Sequence, residues 1–281
     1  MTYSKNLFQI DRPSPLIDIH LQKLTADIIS QNIDMSYSTN FYSEFLDLIS
    51  TWILSSNLNS INGIEKYTPQ LMHGCTHFID SLYMQGPTQV LVNDYRYHAR
   101  LGNALIKNHY TDLLPNVPLI LSDPFPSTGS SHIDIGKILN FCTNKNIDVH
   151  IDAAWFTNAK NTHIDATHPS IKSIGTSLSK GLGLGWNRIG VRWVRQVTQD
   201  AITIANQFNM INRVPCIIAR HFINNTQPDH LWNAHRDRYY QVCNDFELTP
   251  TDTIYIALNN GNPVGISKLI QYLENFNRNN S

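Results

Sequence analysis

Three residue types at fixed spacing carry the reactive chemistry of this chain. Asp152 closes the run Asp148–Asp152 (DVHID) and is followed by Ala153, Ala154 and Trp155. In open α/β sheets the C-terminal ends of strands face the ligand, so a carboxylate there is placed to meet a bound group. Lys180 lies 28 residues further on, in Ser177-Leu178-Ser179-Lys180, after Ile171–Ile174, which reads as a strand. An amine flanked by hydroxyls and followed by Gly181, Gly183 and Gly185 suits a bulky anion, because glycine lets the backbone come close. Arg188 opens the next apolar run, where its planar guanidinium could clamp a phosphate. Each residue also has an ordinary reading: a solvated lysine, an aspartate capping a helix, an arginine on a strand surface. Their joint order favours the chemical one.

This constellation resembles the fold-type I pyridoxal-phosphate (PLP) enzymes, and within them the class I/II aminotransferase-like group. Their signature is Ser-x-Ser-Lys, a glycine-containing loop, an Arg eight residues after the Lys, then x-Gly. Here it reads Ser177-Leu178-Ser179-Lys180 and Arg188-Ile189-Gly190. The upstream Asp-x-Ala-aromatic motif reads Asp152-Ala153-Ala154-Trp155. His73-Gly74-Cys75-Thr76 fits the Gly-x-Thr loop that opens a phosphate-cradling helix. Val90–Tyr97 (VLVNDYRY) fits the strand leading to a ring-stacking aromatic, which would be Tyr97, though a core or sheet-edge aromatic reads nearly as well. Ser122–Gly129 (SDPFPSTG) fits the Asn-Pro-x-Asn-Pro-Thr-Gly turn. The likeness runs from about residue 40 to 195 and is loose beyond it.

The resemblance implies PLP as cofactor and an amino acid or amine as substrate. It implies that Lys180 forms the Schiff base and then shuttles the Cα proton. Asp152 would pair with the pyridine nitrogen and make the ring an electron sink, with Tyr97 stacked on it and Trp155 beside it. The phosphate would rest on the amides of Gly74, Cys75 and Thr76 at a helix N-terminus. Thr76, Ser177, Ser179 and Arg188 would complete its shell. Cys75 reads as a small apolar residue near that loop, and His150 as a strand histidine. The resemblance further implies a homodimer.

Three family positions are altered. The Asn that meets the cofactor's phenolic oxygen aligns with Pro126, which has no donor. The Tyr that shares that oxygen aligns with Trp155, whose indole N–H still donates. The substrate-carboxylate Arg is expected on a late strand, and Thr253–Leu258 (TIYIAL) contains none. Arg12, Arg96, Arg100, Arg220, Arg236 and Arg238 are the candidates to replace it. Aminotransfer is the reaction the family implies. Decarboxylation, elimination, cyclisation and oxidation on the same fold are the alternatives, and a non-catalytic PLP-fold protein is a further one.

The elements that must hold these residues follow from periodicity. Gln89–Asn93, Pro118–Ser122, Asp148–Asp152 and Ile189–Val194 read as buried strands, and Thr253–Leu258 as a late one. Thr76–Met84, His98–His109 and His132–Asn144 read as helices; in the last, Ile133, Ile135, Ile138, Leu139 and Cys142 share one face. Gln196–Met210, Asp229–Asn244 and Val264–Phe276 also read as helical. The alternation implies an α/β fold, a three-layer α/β/α sandwich with a mostly parallel central sheet. The expected division is a PLP-binding major domain over 45–215 and a reduced small domain from 1–44 and 216–281. Residues 1–40 show no strong periodicity.

Composition sets the outer bounds. The 281 residues carry 21 basic and 22 acidic side chains, and charged residues reach only 15%, against roughly 25% in an average soluble domain. Thirty asparagines supply much of the polarity instead. A near-zero net charge argues against a sequence-independent nucleic-acid partner. No stretch approaches the ~18 apolar residues of a membrane span, and no signal sequence is visible. The four isolated cysteines read as reduced thiols in a cytoplasmic protein. The twelve histidines form no HExxH-type spacing, and no metal site is expected.

Overall fold

The computed structural model describes residues 16–30, 40–101 and 104–271. In chain order the helices are α1 (Ile19–Ser30), α2 (Phe41–Leu54), α3 (Cys75–Tyr83), α4 (Ile135–Asn144), α5 (Leu178–Gly181), α6 (Ala201–Gln207), α7 (Arg213–Asn225) and α8 (His230–Asp245). The strands are β1 (Ser60–Asn62), β2 (Thr68–Met72), β3 (Thr88–Leu91), β4 (Ala104–Lys107), β5 (Leu119–Ser122), β6 (Val149–Ala153), β7 (His163–Asp165), β8 (Ile171–Ser177), β9 (Gly190–Val194), β10 (Thr249–Pro250), β11 (Ile256–Asn259) and β12 (Asn262–Gly265).

Seven strands form the central sheet in the order β2-β9-β8-β6-β5-β3-β4. All are parallel except β9, which runs antiparallel to both β2 and β8. Strands β3 and β5 are buried along their whole length, as expected for parallel strands covered on both faces. The register sets Ser122 opposite Asp152, and Asp152 opposite Gly175, so the reactive positions collect at one edge of the sheet. Helix α3 closes over that edge. A Cβ on Gly175 would sit 2.6 Å from the Phe78 ring, so the missing side chain lets α3 lie directly on β8.

The apolar core runs from Leu16 to Ile270, so both terminal segments pack against the same interior. Helix α1 is periodic after all: Leu21, Leu24 and Ile28 are buried, and Asp18 caps it by accepting the Leu21 N–H at 2.9 Å. Helix α2 buries Phe41, Phe45, Ile49, Trp52 and Ile53, and the Trp52 indole N–H donates to the Thr226 carbonyl at 2.9 Å.

Several sequence expectations are corrected. The helix expected over His98–His109 is a short 3-10 turn, His98–Arg100, and then strand β4. Pairing with β3 at the sheet edge overrides the helical spacing, and leaves Leu105 and Ile106 exposed. Helix α4 starts at Ile135 and not at His132, because the His132 ring accepts the Asp134 N–H and ends the turn there. Ile133, assigned to the buried face, is 93% exposed. Helix α6 starts after Asp200, whose carboxylate accepts the Thr203 N–H at 2.9 Å. The late strand is shifted to Ile256–Asn259, and Val264 belongs to its hairpin partner β12. Asn260 and Gly261, both at positive φ, make the two-residue turn between them. Helix then resumes over 267–271, and the rest of the expected final helix lies outside the described residues.

Candidate active site

The first turn of α3 begins at Gly74, with φ of 80° and no side chain. A Cβ there would lie 3.2 Å from Ser177 Oγ and 3.3 Å from an Arg188 guanidinium nitrogen. A small cup is therefore lined by the α3 N-terminus, a hydroxyl and a guanidinium. The His77 and Phe78 N–H groups donate to the Gly74 carbonyl, and the N–H groups before them, of Cys75 and Thr76, precede the first helical hydrogen bond. Arg188 is held in place by its hydrogen bonds: one nitrogen donates to Thr76 Oγ1 at 2.8 Å and another to the His73 carbonyl at 3.4 Å. Ser177 ends β8 and caps α5; its Oγ accepts the Ser179 N–H at 3.2 Å and donates to Ser179 Oγ at 3.0 Å.

Lys180 follows on α5. Burial, and then the charge of Arg188, hold its amine below the ordinary lysine value, which favours the neutral nucleophile. The Tyr255 hydroxyl donates to the Lys180 carbonyl at 2.5 Å, fixing α5 from the C-terminal segment.

The opposite end of the site is acidic. Asp152 is 5% exposed, and burial pushes its carboxyl up to about 6. The Cys75 thiol stabilises the Asp152 charge, the Asp94 charge opposes it, and the Ala154 N–H donates at 3.1 Å. Cys75 also donates to the Gly175 carbonyl at 3.5 Å, and burial raises its own thiol well above the ordinary value. That is the state of an inert thiol and not of a nucleophile.

Two sequence-assigned aromatics sit as follows. The Tyr97 hydroxyl donates to Asp80 at 2.7 Å, on the outer side of α3. Tyr95 stacks on Tyr97 with centroids 5.9 Å apart, and its phenol feels Asp152, Arg188 and Cys75. Tyr95 is thus within electrostatic reach of both the acid and the guanidinium, and Tyr97 within reach of Asp80 and Arg188. Trp155 is half-buried against the core beside Asp152. The structure therefore gathers Gly74, Cys75, Thr76, Asp152, Ser177, Ser179, Lys180 and Arg188 at one sheet edge, with the stacked Tyr95–Tyr97 pair beside them. Sequence reasoning missed Asp94, Tyr95 and Tyr255. Asp94 and Tyr95 had a usable signal: they directly follow a buried parallel strand, where ligand-facing loops begin.

Among the candidates for a carboxylate-binding Arg, Arg100 acts electrostatically on Tyr95. Arg220 lies over the Phe41 ring and 3.7 Å from Glu44, and Arg236 is 3.8 Å from Asp237. Arg12 lies outside the described residues. Among the described residues, no helix is long and apolar enough to cross a membrane.

No protein-family model and no curated protein matches the sequence. Solved structures match the fold. A PLP-bound C-S lyase from Staphylococcus hominis superposes with a TM-score of 0.61 at 11% identity, over 97% of this chain and 81% of that one. An aspartate aminotransferase double mutant from Thermus thermophilus gives 0.60 at 11% identity, over 89% and 75%. Alanine aminotransferase from Pyrococcus furiosus gives 0.57 at 11% identity, over 89% and 73%. The fold is that of the fold-type I PLP-dependent enzymes, with a mostly parallel central sheet.

Proposed function

We propose that this chain binds PLP through Lys180 and acts on an amino acid or amine, with aminotransfer as its reaction. One observation carries the reading: the cup at Gly74, Ser177 and Arg188 is cationic, while Asp152 at the other end of the site is a buried acid, with Lys180 at the same edge. A phosphate fits the first, and a protonated ring nitrogen fits the second. When bound, PLP supplies an electron sink for the substrate carbon.

The remaining roles belong to the chain. Arg188, Ser177 and the α3 N-terminus hold the phosphate. Asp152 keeps a proton on the ring nitrogen, and that cation in turn stabilises its buried charge. Lys180 Nζ would hold the cofactor, and the same amine would move the Cα proton of the substrate. Tyr95 is the residue this reading sets against the ring. A homodimer is part of the same reading, and light scattering checks it.

A lyase outcome is the second reading. The hairpin Ile256–Gly265 presents neither Arg nor Lys to a substrate carboxylate. An amino-acid panel added to PLP-loaded protein separates the two. Conversion of bound PLP to its amine form supports aminotransfer, and release of CO2, ammonia or thiol supports a lyase. Protein that binds PLP but changes no substrate would support the non-catalytic alternative.

A further inference from the structure

We propose that Asp94 is a positioning residue for the ring end of the site: it clamps the Tyr95 loop to the strand edge that carries Asp152 and sets a second buried carboxylate beside it. The inference rests on the PLP reading for what the ring end holds, but its geometry does not depend on it.

Strands β3 and β5 are neighbours in the sheet, yet they pair only near their N-terminal ends, at Gln89 and Leu119. Towards the site the backbone ladder is missing, and Asp94 bridges the opening. One carboxylate oxygen accepts the Ser122 N–H at 3.1 Å. The other accepts the Tyr95 N–H at 2.6 Å and also the Ser122 hydroxyl. Ser122 ends β5 and stands opposite Asp152 of β6 in the parallel register. A single side chain therefore links the aromatic loop to the residue next to Asp152.

Three donors on one carboxylate hold it rigidly, but a clamp alone does not require a charge. Asp94 is buried, and burial pushes its carboxyl up to about 6. The titratable groups around the Asp94 and Asp152 pair are Tyr83, Tyr95, Cys75 and Asp123, a third buried acid whose backbone N–H donates to the Asp152 carbonyl at 3.1 Å. Within the pair, the Asp94 charge raises the proton affinity of Asp152. A cation set against Asp152 offsets that repulsion. Asp94 thus deepens the negative potential where the ring nitrogen would lie, while fixing the aromatic that would cover the ring.

The test uses Asp94→Asn and Ser122→Ala in the full chain. In cofactor-free protein, the Asp152 carboxyl carbon is titrated by 13C NMR. Asp94→Asn lowers its midpoint by about one pH unit, and Ser122→Ala, which keeps the charge, moves it much less. An Asp152 midpoint unchanged by Asp94→Asn overturns the proposal, whether or not PLP binds. In PLP-loaded protein, visible circular dichroism reads ring orientation. Both variants alter the cofactor band, and an unaltered band in both overturns the positioning role. If Asp94→Asn does not fold, the band of Ser122→Ala decides alone. Wild type that takes up no PLP refutes the functional reading, and the NMR titration still judges Asp94.

Discussion

The two ends of the site are built on opposite principles. The phosphate end is open and already satisfied: Arg188 is exposed, and its nitrogens are engaged by Thr76 and His73. The ring end is closed and electrostatically loaded, with Asp152, Asp94 and the nearby Asp123 all buried and all pushed up to about 6. An anion needs only preformed donors, which water also satisfies when the cup is empty. A cation-binding end inside the protein needs an acid whose charge is costly until the ligand arrives. The contrast suits the proposed cofactor, a molecule negative at one end and positive at the other.

The largest effect is expected at the residue between the ends. Lys180→Ala is expected to lower turnover by about 10⁴-fold or more, since it removes both covalent anchor and proton carrier, while PLP still binds noncovalently in equilibrium dialysis. Next, Arg188→Ala is expected to weaken PLP binding by about 10- to 100-fold, the effect of losing charge-assisted hydrogen bonds. Fluorescence titration measures it, and pyridoxal without phosphate should bind both proteins alike.

The ring end gives a prediction of opposite sign. A carboxyl whose folded value is raised binds more protons folded than unfolded between about 4 and 6. Its destabilising contribution is thus absent at pH 4, grows through that window, and is fully present above it. Asp152→Asn is expected to stabilise the cofactor-free protein by about 1–3 kcal/mol at pH 7 and hardly at all at pH 4. Asp18 behaves inversely: against its burial, hydrogen bonds from His230 and His235 hold it well below the usual carboxylate range. Its contribution is present above pH 4 and lost below, so Asp18→Asn is expected to destabilise at pH 7. Urea unfolding at both pH values reads each sign. The smallest effect is Thr76→Val, which removes one exposed 2.8 Å anchor of Arg188. It should weaken PLP binding about three- to fivefold.

The sequence made the centre of the sheet legible because buried parallel strands are short apolar runs, as in Leu119–Ser122 and Val149–Ala153. The meeting of Gly74, Ser177 and Arg188 was legible because they sit in spaced motifs. The edge strand β4 was not legible: its pairing comes from β3 and not from its own half-exposed residues. The C-terminal hairpin carried a local signal, Asn260-Gly261, which the helical periodicity after it obscured. Asp94 was hidden for a different reason. Its role arises from the gap between β3 and β5, and a gap in pairing leaves no mark on the composition of either strand.

The most direct measurement is borohydride reduction of the PLP-treated protein followed by peptide mass mapping. One phosphopyridoxyl group per chain is expected, on the peptide bearing Lys180, and none there in Lys180→Ala. Absence of label on wild type, or label on an outlying lysine such as Lys172 or Lys160, would contradict it.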